Sequence, residues 1–297
     1  MPTPTRADWL SIIALGLIWG GTFMVVSVAL RGYGPVTVAC ARTTLGALAL
    51  TGMAVLLRRR WPARAVWSQI IPIGVLSSAV PFFLLSWGQQ YVPSAFAGLS
   101  MAILPLFVLP LAHVFAAEPL TRYKAAGFSL GLVGALVLLG EGVFQGGTDL
   151  LPRLACIAAT LCYAISSILT RRCPPVDPLS FSACTLLVGA VVLVPAMLLT
   201  EGIPGWTGNL SGGAILFLGL VPTAFAAFLR VSVIRSAGSG FMTLTNYQVP
   251  LWSMAFGALV LNEALPGRFF VALALILAGL AVTQAGGRKR QPTPSRA

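Results

Sequence analysis

The sequence predicts an all-α polytopic membrane protein, with ten transmembrane helices forming two inverted five-helix repeats. Three observations predict this fold class. Hydrophobic residues make up 57% of the 297 residues and charged residues only 9%, whereas a soluble domain carries about 25% charged residues. Ten apolar runs are long enough to cross a bilayer, which takes about 20 residues each. The second half of the chain also repeats features of the first.

The ten apolar runs follow one another with short connections that hold Gly, Pro and charged residues. They cover about Asp8–Leu30, Pro35–Leu57, Val66–Gln90, Ser94–Ala116, Thr121–Gly140, Leu150–Thr170, Pro178–Leu199, Ser211–Ile234, Ser239–Leu261 and Pro266–Ala285. No stretch remains for a soluble domain.

The basic residues predict the orientation of these spans. With the N-terminus in the cytoplasm, fourteen of the 19 Lys and Arg residues fall on the cytoplasmic side, and Arg31, Arg153 and Arg268 fall at helix edges on the other side. Arg42 and Arg230 lie within spans. Because cytoplasmic loops are enriched in Lys and Arg, both termini are expected in the cytoplasm. Most of the basic residues that give the net charge of +12 lie in short clusters within the loops, so no nucleic-acid partner is expected.

An internal repeat appears when Ser94 is aligned with Ser239. Without a gap, the matched pairs then include Phe96 with Phe241, Pro105 with Pro250, Glu118 with Glu263 and Gly134 with Gly279. We therefore expect a first repeat over residues 1–148 and a second over residues 149–297. Since five spans is an odd number, the second copy enters the membrane from the opposite side. Such inverted repeats are common in secondary transporters, whose sites lie near the midplane.

Three sequence motifs carry a resemblance to a known family. They are WGGTF at Trp19–Phe23, VDPLSFSA at Val176–Ala183, and the pattern that closes each repeat, beginning ILPLFVLPLAHVFAAEPL and QVPLWSMAFGALVLNEAL. On these motifs the chain resembles the EamA-type branch of the drug/metabolite transporter superfamily over essentially residues 6–287. Within that branch it is most similar to the bacterial amino-acid exporters, including the aromatic amino-acid exporters. The sixth span departs from the family pattern with TLCYAIS, where Tyr163 is the candidate for the role of Trp19.

The resemblance implies a transporter and not an enzyme. It also implies that the first four helices of each repeat surround a central cavity and that the fifth packs outside. We expect a multi-pass protein of the bacterial inner membrane that exports amino acids or similar small amphipathic metabolites by alternating access. A sugar-phosphate, nucleotide-sugar or drug transporter of the same superfamily is the alternative. A lipid-processing enzyme is a remote one, because its loops would present paired carboxylates or a His/Asp/Ser cluster.

The expected partners are the lipid bilayer and a small-molecule substrate, and a monomer is compatible with the sequence. No cofactor is expected. The chain has one histidine, His113, and its five cysteines form no CxxC pair, so no metal site is predicted.

Candidate substrate-binding residues are polar, charged or aromatic side chains within the spans. They are Trp19, Thr22, Phe23, Arg42, Phe83, Trp87, Met101, Tyr163, Ser166, Arg230, Asn246, Tyr247, Gln248 and Trp252. A charge inside the bilayer is costly unless it faces a cavity or a partner, so Arg42 and Arg230 are candidates to bind a substrate carboxylate, with snorkelling or packing as the alternative. Polar groups at membrane depth need partners, which makes the group in the ninth span the main candidate. Aromatic walls suit an amphipathic solute.

Prolines and glutamates at matched positions are candidates for conformational roles. Pro105 and Pro250 are expected to act as hinges, because proline removes a helix hydrogen bond and can kink the helix. Glu118 and Glu263 mark opposite helix ends, where we expect capping, pairing or a gate. None of the seven acidic residues falls at mid-membrane, so weak or absent proton coupling is predicted.

Overall fold

A computed structural model describes residues 4–115, 120–140 and 150–288, and throughout these ranges the regular structure is helical. The helices are α1 (Arg6–Ala29), α2 (Pro35–Leu56), α3 (Arg64–Gly88), α4 (Ser94–Phe115), α5 (Arg122–Leu139), α6 (Leu150–Arg172), α7 (Pro178–Thr200), α8 (Leu210–Ala237), α9 (Ser239–Met242 and Thr245–Leu261) and α10 (Gly267–Arg288). Their bounds match the predicted spans to within three residues. The predicted all-α membrane fold is confirmed.

The length and the apolar composition of the helices fit a membrane protein. Within the described ranges, nine helices are long and apolar enough to cross a bilayer. The tenth predicted span is α9, which divides at Thr243–Leu244. Large apolar side chains point outward from the bundle, among them Leu48, Leu199 and Leu259, which are 62%, 87% and 80% exposed. In a bilayer these side chains contact lipid tails and not water.

Irregular turns occur at corresponding places in two helices. Both α3 and α8 contain a π-helical segment, Val75–Ala79 and Gly219–Phe225 respectively. The 145-residue offset that carries Ser94 onto Ser239 carries residues 75–79 onto 220–224, inside the second segment. Insertions of this kind open the backbone ladder and often mark functional places. The inversion of the two repeats stays a prediction.

Close helix contacts hold the fifth helix of one half against the fifth helix of the other. A Cβ placed on Gly127 of α5 would lie 2.3 Å from the carbonyl oxygen of Gly279 in α10, and one on Gly279 would lie 2.5 Å from that of Gly127. The two backbones therefore approach as closely as small residues permit. Among the remaining helices, α2 packs on α7, α1 on α9, and α6 on α3 and α4.

The end of the bundle at which α1 begins is called here the N-terminal end. There Asp177 lies 3.7 Å from Arg59 and 3.6 Å from Arg235, and Ser236 donates a hydrogen bond to Asp8. These contacts join α7 to the ends of α2 and α8, and α1 to α8.

The opposite end is joined by different contacts. Ser211 at the start of α8 donates a 2.9 Å hydrogen bond to the carbonyl of Val28 in α1. The Thr207 backbone N–H donates to the Tyr33 hydroxyl at 3.1 Å. Helices from both halves of the chain are thus connected at each end.

Candidate substrate site

The centre of the candidate site is a break in the backbone ladder of α8. Pro222 has no N–H, so the Leu218 carbonyl four residues earlier loses its usual helical partner. The Thr223 hydroxyl donates to that carbonyl at 2.8 Å. The Pro222 carbonyl in turn accepts a 3.2 Å hydrogen bond from the indole N–H of Trp19. The π-helical turn therefore presents polar groups to α1 and α2 in the middle of an apolar bundle.

Arg42 on α2 lies against this break. Its Nε donates a 3.1 Å hydrogen bond to the Thr223 hydroxyl, and its guanidinium carbon lies 3.9 Å from the centroid of the Phe82 ring. The side chain is only 9% exposed. A cation over an aromatic face is stabilised by the ring quadrupole, but this does not neutralise the charge.

No carboxylate among the described residues compensates Arg42. The four described acidic residues are Asp8, Asp177, Glu201 and Glu263, and each is bound elsewhere by hydroxyls, backbone N–H groups or other arginines. A buried charge without a counter-ion is expensive. Arg42 thus leaves an excess of positive charge that an anionic ligand group can balance.

Tyr163 on α6 adds an aromatic wall beside the arginine. Its ring packs against both large apolar clusters of the protein, one around Phe96 and the other around Phe82. Phe82 of the second cluster is the ring that lies under the Arg42 guanidinium. Trp19, Arg42 and Tyr163 were predicted to bind substrate, and the structure brings them together around Thr223.

Arg230 lies further along α8, seven residues after Thr223, or about 10 Å at ~1.5 Å rise per residue. Its side chain is exposed, and no described residue forms a hydrogen bond or ion pair with it. Arg230 places a second uncompensated cation two turns nearer the N-terminal end.

The predicted group on α9 occupies helix–helix contacts. Tyr247 accepts a hydrogen bond from Gln284 of α10, and Gln248 donates to the Ile12 carbonyl of α1 at 3.5 Å. Trp252 stacks on Phe256 with ring centroids 6.0 Å apart.

Two further observations complete the α9 group. A Cβ on Gly20 would lie 2.4 Å from that of Trp252, and Asn246 is exposed. The partners that Tyr247 and Gln248 were expected to need are thus supplied by α10 and α1 respectively. Their role in substrate binding stays a prediction.

The other predicted binding residues lie at several places in the bundle. The Thr22 hydroxyl donates to the Ile18 carbonyl within α1, and the Ser166 hydroxyl donates to the Tyr163 carbonyl within α6. Phe23 is 6% exposed in the cluster around Phe96, which Met101 also contacts. Phe83 is half-buried against the second cluster. The Trp87 ring lies 5.6 Å from that of Tyr91.

The candidate hinges and gate residues have different surroundings. Pro105 lies in the first turn of the helical segment Leu104–Phe115, after a 3₁₀ turn at Met101–Ile103. Pro250 lies inside the segment Thr245–Leu261, after the interruption at Thr243–Leu244. Each proline therefore follows an irregular turn of its helix. Glu118 lies outside the described residues.

Glu263 caps a helix from the other half of the chain. Its two carboxylate oxygens accept hydrogen bonds from the backbone N–H groups of Ser94, at 2.7 Å, and Ala95, at 3.0 Å. These are free N–H groups at the start of α4, and the helix dipole favours a negative charge there.

Glu201 makes the same contact on α2, accepting from Val36 and Thr37 at 2.9 Å each. Gly34 leaves the space for it, because a Cβ there would lie 2.3 Å from the carboxylate. The two glutamates thus cap α2 and α4 at the opposite end of the bundle.

Sequence reasoning missed Phe82, Thr223 and Glu201. Phe83 was preferred because it lies four residues before Trp87, so the two share a helix face, but Phe82 is the ring that faces Arg42. Thr223 could have been noticed as a hydroxyl next to a helix proline, which such a residue can compensate. Nothing in the sequence marks Glu201 as the cap of α2.

This arrangement defines a multi-pass membrane protein with a cationic, aromatic-walled centre, and comparison with known proteins gives its class. The EamA-like transporter family profile matches the chain twice, over residues 8–140 and 151–284. The chain belongs to the EamA-like transporter family, and it is a transporter, not an enzyme.

Several curated proteins are similar along nearly their whole length. "Uncharacterized transporter YoaV" of Bacillus subtilis is 24% identical over 91% of this chain and 94% of its own. "Probable terminal-alkyne amino-acid exporter" of Streptantibioticus cattleyicolor is 28% identical over 98% and 99%. "S-adenosylmethionine/S-adenosylhomocysteine transporter" of Chlamydia trachomatis serovar L2 is 29% identical over 88% and 84%. A crystal structure with 22% identity superposes on 97% of this chain and 100% of its own with a TM-score of 0.66, which shows the shared fold.

Proposed function

We propose that the protein exports amino acids or similar small amphipathic metabolites across the bacterial inner membrane by alternating access. The observation that carries this proposal is Arg42, a buried cation at the centre of the bundle that no described carboxylate compensates. A substrate carboxylate supplies the missing charge and accepts charge-assisted hydrogen bonds from the free guanidinium N–H groups. Phe82, Tyr163 and Trp19 offer aromatic surface for the apolar part of the solute.

Similar proteins support this substrate class. Two of the relatives carry names that specify an amino-acid exporter and a transporter of S-adenosylmethionine and S-adenosylhomocysteine. All of these substrates carry an α-carboxylate beside a larger side group. One carboxylate-binding arginine with aromatic walls suits such a range of solutes.

Alternating access is supported by the duplicated organisation. The family profile matches each half separately, and the π-helical segments of α3 and α8 occupy corresponding places. The two ends of the bundle are joined by different contacts, so one set can open while the other holds. Arg230 then offers a second cation on the way from the centre to the N-terminal end. We propose that this end is cytoplasmic, because the Lys and Arg residues concentrate there.

Proton coupling is proposed to be weak or absent. The four described carboxylates lie near helix ends and are bound by N–H groups, hydroxyls or arginines, so none faces the central arginine. Proton-driven carriers usually embed a titratable group near the substrate. We expect a pH gradient to produce no uphill accumulation of substrate in proteoliposomes. Uphill accumulation that collapses with a protonophore would contradict this part of the proposal.

Transport into proteoliposomes tests the substrate class. Labelled amino acids, S-adenosylmethionine, a sugar phosphate, a nucleotide sugar and a cationic dye are each offered to vesicles with and without the protein. We expect saturable exchange of amino acids, with aromatic and sulfur-containing ones competing best, and no exchange of the amides of the same amino acids. Exchange of the phosphorylated solutes alone would favour the sugar-phosphate alternative. Exchange of the dye alone would favour a drug transporter.

A further inference from the structure

A cavity of about 520 Å³ at the N-terminal end is separate from the central site. It lies between the connection from α2 to α3 and the residues that precede α7. We infer that this cavity binds the phosphate headgroup of an anionic phospholipid, a role distinct from transport of the substrate.

The charge of the cavity is positive and only partly compensated. Three consecutive arginines, Arg58, Arg59 and Arg60, line it, and Asp177 is the one carboxylate in the lining. Asp177 is shared, because Arg59 and Arg235 both approach its Oδ2.

The other oxygen of Asp177, Oδ1, accepts from the backbone N–H groups at the start of α7. No described residue pairs with Arg58 or Arg60. Two guanidinium groups therefore remain for an anion.

One donor in the cavity wall is buried and unused. The Nε of Arg59 has no contact with solvent and no hydrogen-bond partner among the described residues. Leaving a buried donor unpaired costs free energy, and arginine donors match the oxygens of a phosphate group in geometry. The Arg59 guanidinium thus has donor capacity beyond its ion pair with Asp177.

The backbone at Arg58 turns the chain at the end of α2. Its φ of 48° lies in the left-handed region, where glycine is the usual residue at the end of a helix. The turn it forms lets the Arg59 N–H bond to the Ala54 carbonyl at 2.9 Å, and the next two arginines line the cavity.

Adjacent apolar surface favours a lipid over a soluble anion. Leu56, the last residue of α2, is 81% exposed, and Val55 beside it is 60% exposed. Trp61 lines the cavity and is 44% exposed, as is usual for tryptophan at the membrane–water interface. The cavity thus lies at headgroup depth, with room for acyl chains along α2 just below. Basic pockets at this depth recognise anionic headgroups.

Native mass spectrometry of the full-length protein in detergent tests the inference. The lipids are phosphatidylglycerol and phosphatidylcholine with identical acyl chains, and glycerol 3-phosphate serves as the soluble phosphate. We expect the wild-type protein to retain phosphatidylglycerol in preference to phosphatidylcholine. The double variant Arg58→Gln/Arg60→Gln should weaken phosphatidylglycerol binding by roughly tenfold or more, since each basic residue near an anionic headgroup strengthens binding by a factor of about five.

The matched control is Arg64→Gln/Arg122→Gln, which removes the same charge at the same end from residues outside the cavity lining. It should bind phosphatidylglycerol as the wild type does. Equal binding of the two lipids by the wild type, or an equal loss in the control, overturns the inference. Glycerol 3-phosphate bound as tightly as the lipid overturns the lipid assignment in favour of a soluble anion. If the double variant does not fold, Arg60→Gln alone is measured, with Arg64→Gln as its control, and the same outcomes apply.

Discussion

Two residues with different effects, one adding a charge and one removing a hydrogen bond, decide the chemistry of the central site. Arg42 brings a charge into the bilayer, and Pro222 removes a backbone hydrogen bond from the helix beside it. Thr223 links the two, because its hydroxyl accepts from the Arg42 Nε and donates to the Leu218 carbonyl. The cost of burying a polar group is thereby reduced without placing a carboxylate on the arginine. The charge of Arg42 stays available to a substrate.

The first prediction concerns this charge. Arg42→Gln removes the charge-assisted hydrogen bonds to a substrate carboxylate, which contribute about 1.5–3 kcal/mol. We expect the KM for amino-acid exchange to rise roughly ten- to hundredfold in proteoliposomes. The variant should also lose the discrimination between an amino acid and its amide, since only the carboxylate of the free amino acid pairs with the arginine.

The control for this prediction is Arg31→Gln, which removes one exposed charge after the end of α1. It should leave the KM and the preference for the acid unchanged. Retained acid-over-amide discrimination in Arg42→Gln would show that another group binds the carboxylate.

At the scale of helices, the contact between α1 and α9 depends on glycines, which have no side chain. A Cβ on Gly20 of the WGGTF motif would meet the Cβ of Trp252 and would lie 3.0 Å from the Val249 carbonyl oxygen. A Cβ on Gly16, one turn earlier, would lie 2.6 Å from the side-chain oxygen of Gln248. Small residues at this spacing let two membrane helices approach closely. The motif thus contributes both a binding-site side chain, Trp19, and the packing that holds it in place.

The second prediction compares two glycines. Gly20→Ala forces a methyl group into backbone and side-chain atoms of α9, and such overpacking costs about 1–3 kcal/mol. We expect a clear fall in Tm in detergent and weaker transport. Gly52→Ala is the matched control, because Gly52 lies within α2 and a Cβ there meets nothing within 4 Å.

Alanine at position 52 should leave Tm unchanged or raise it, since glycine inside a helix is destabilising by about 0.5–1 kcal/mol. Equal Tm changes in the two variants would contradict the role assigned to the α1–α9 contact.

Across the whole molecule, carboxylates and arginines hold the two ends in different ways. At the opposite end, Glu201 and Glu263 cap the starts of α2 and α4 across the halves of the chain. At the N-terminal end, Asp177 connects α7 with Arg59 and Arg235. If the protein alternates between two open states, the caps at the opposite end have to separate whenever that end opens.

The third prediction follows from the cap on α2. Glu201→Gln keeps one acceptor oxygen but loses the charge, which weakens the bond to the Val36 and Thr37 N–H groups by about 1–2 kcal/mol. Cys40 lies one turn further along α2 and is 3% exposed. We expect its labelling by a small water-soluble maleimide, measured residue by residue by mass spectrometry, to speed up about tenfold.

Two comparisons control this experiment. Cys173, at the N-terminal end after α6, should label at an unchanged rate. Thr200→Val removes a hydroxyl that donates within its own helix to the Ala196 carbonyl at 2.8 Å, and it should leave the labelling of Cys40 unchanged. If Glu201→Gln does not alter the labelling of Cys40, the cap does not hold this end closed.

The amino-acid sequence by itself determined the helices and the kind of residue at the centre. Apolar runs of spanning length predicted the helix bounds, because any such run is stable as a transmembrane helix wherever it lies in the chain. An arginine within a span, such as Arg42, stands out because a charge inside the bilayer is costly.

Only the tertiary structure decided which neighbours face one another. It placed Phe82 instead of Phe83 over Arg42, supplied Tyr247 with Gln284 as a partner, and brought Glu201 to the start of a helix more than 160 residues away in sequence. These pairings depend on the rotation and crossing of whole helices, which arise from many close contacts such as that of Gly20 with Trp252, and a local pattern carries no information about them.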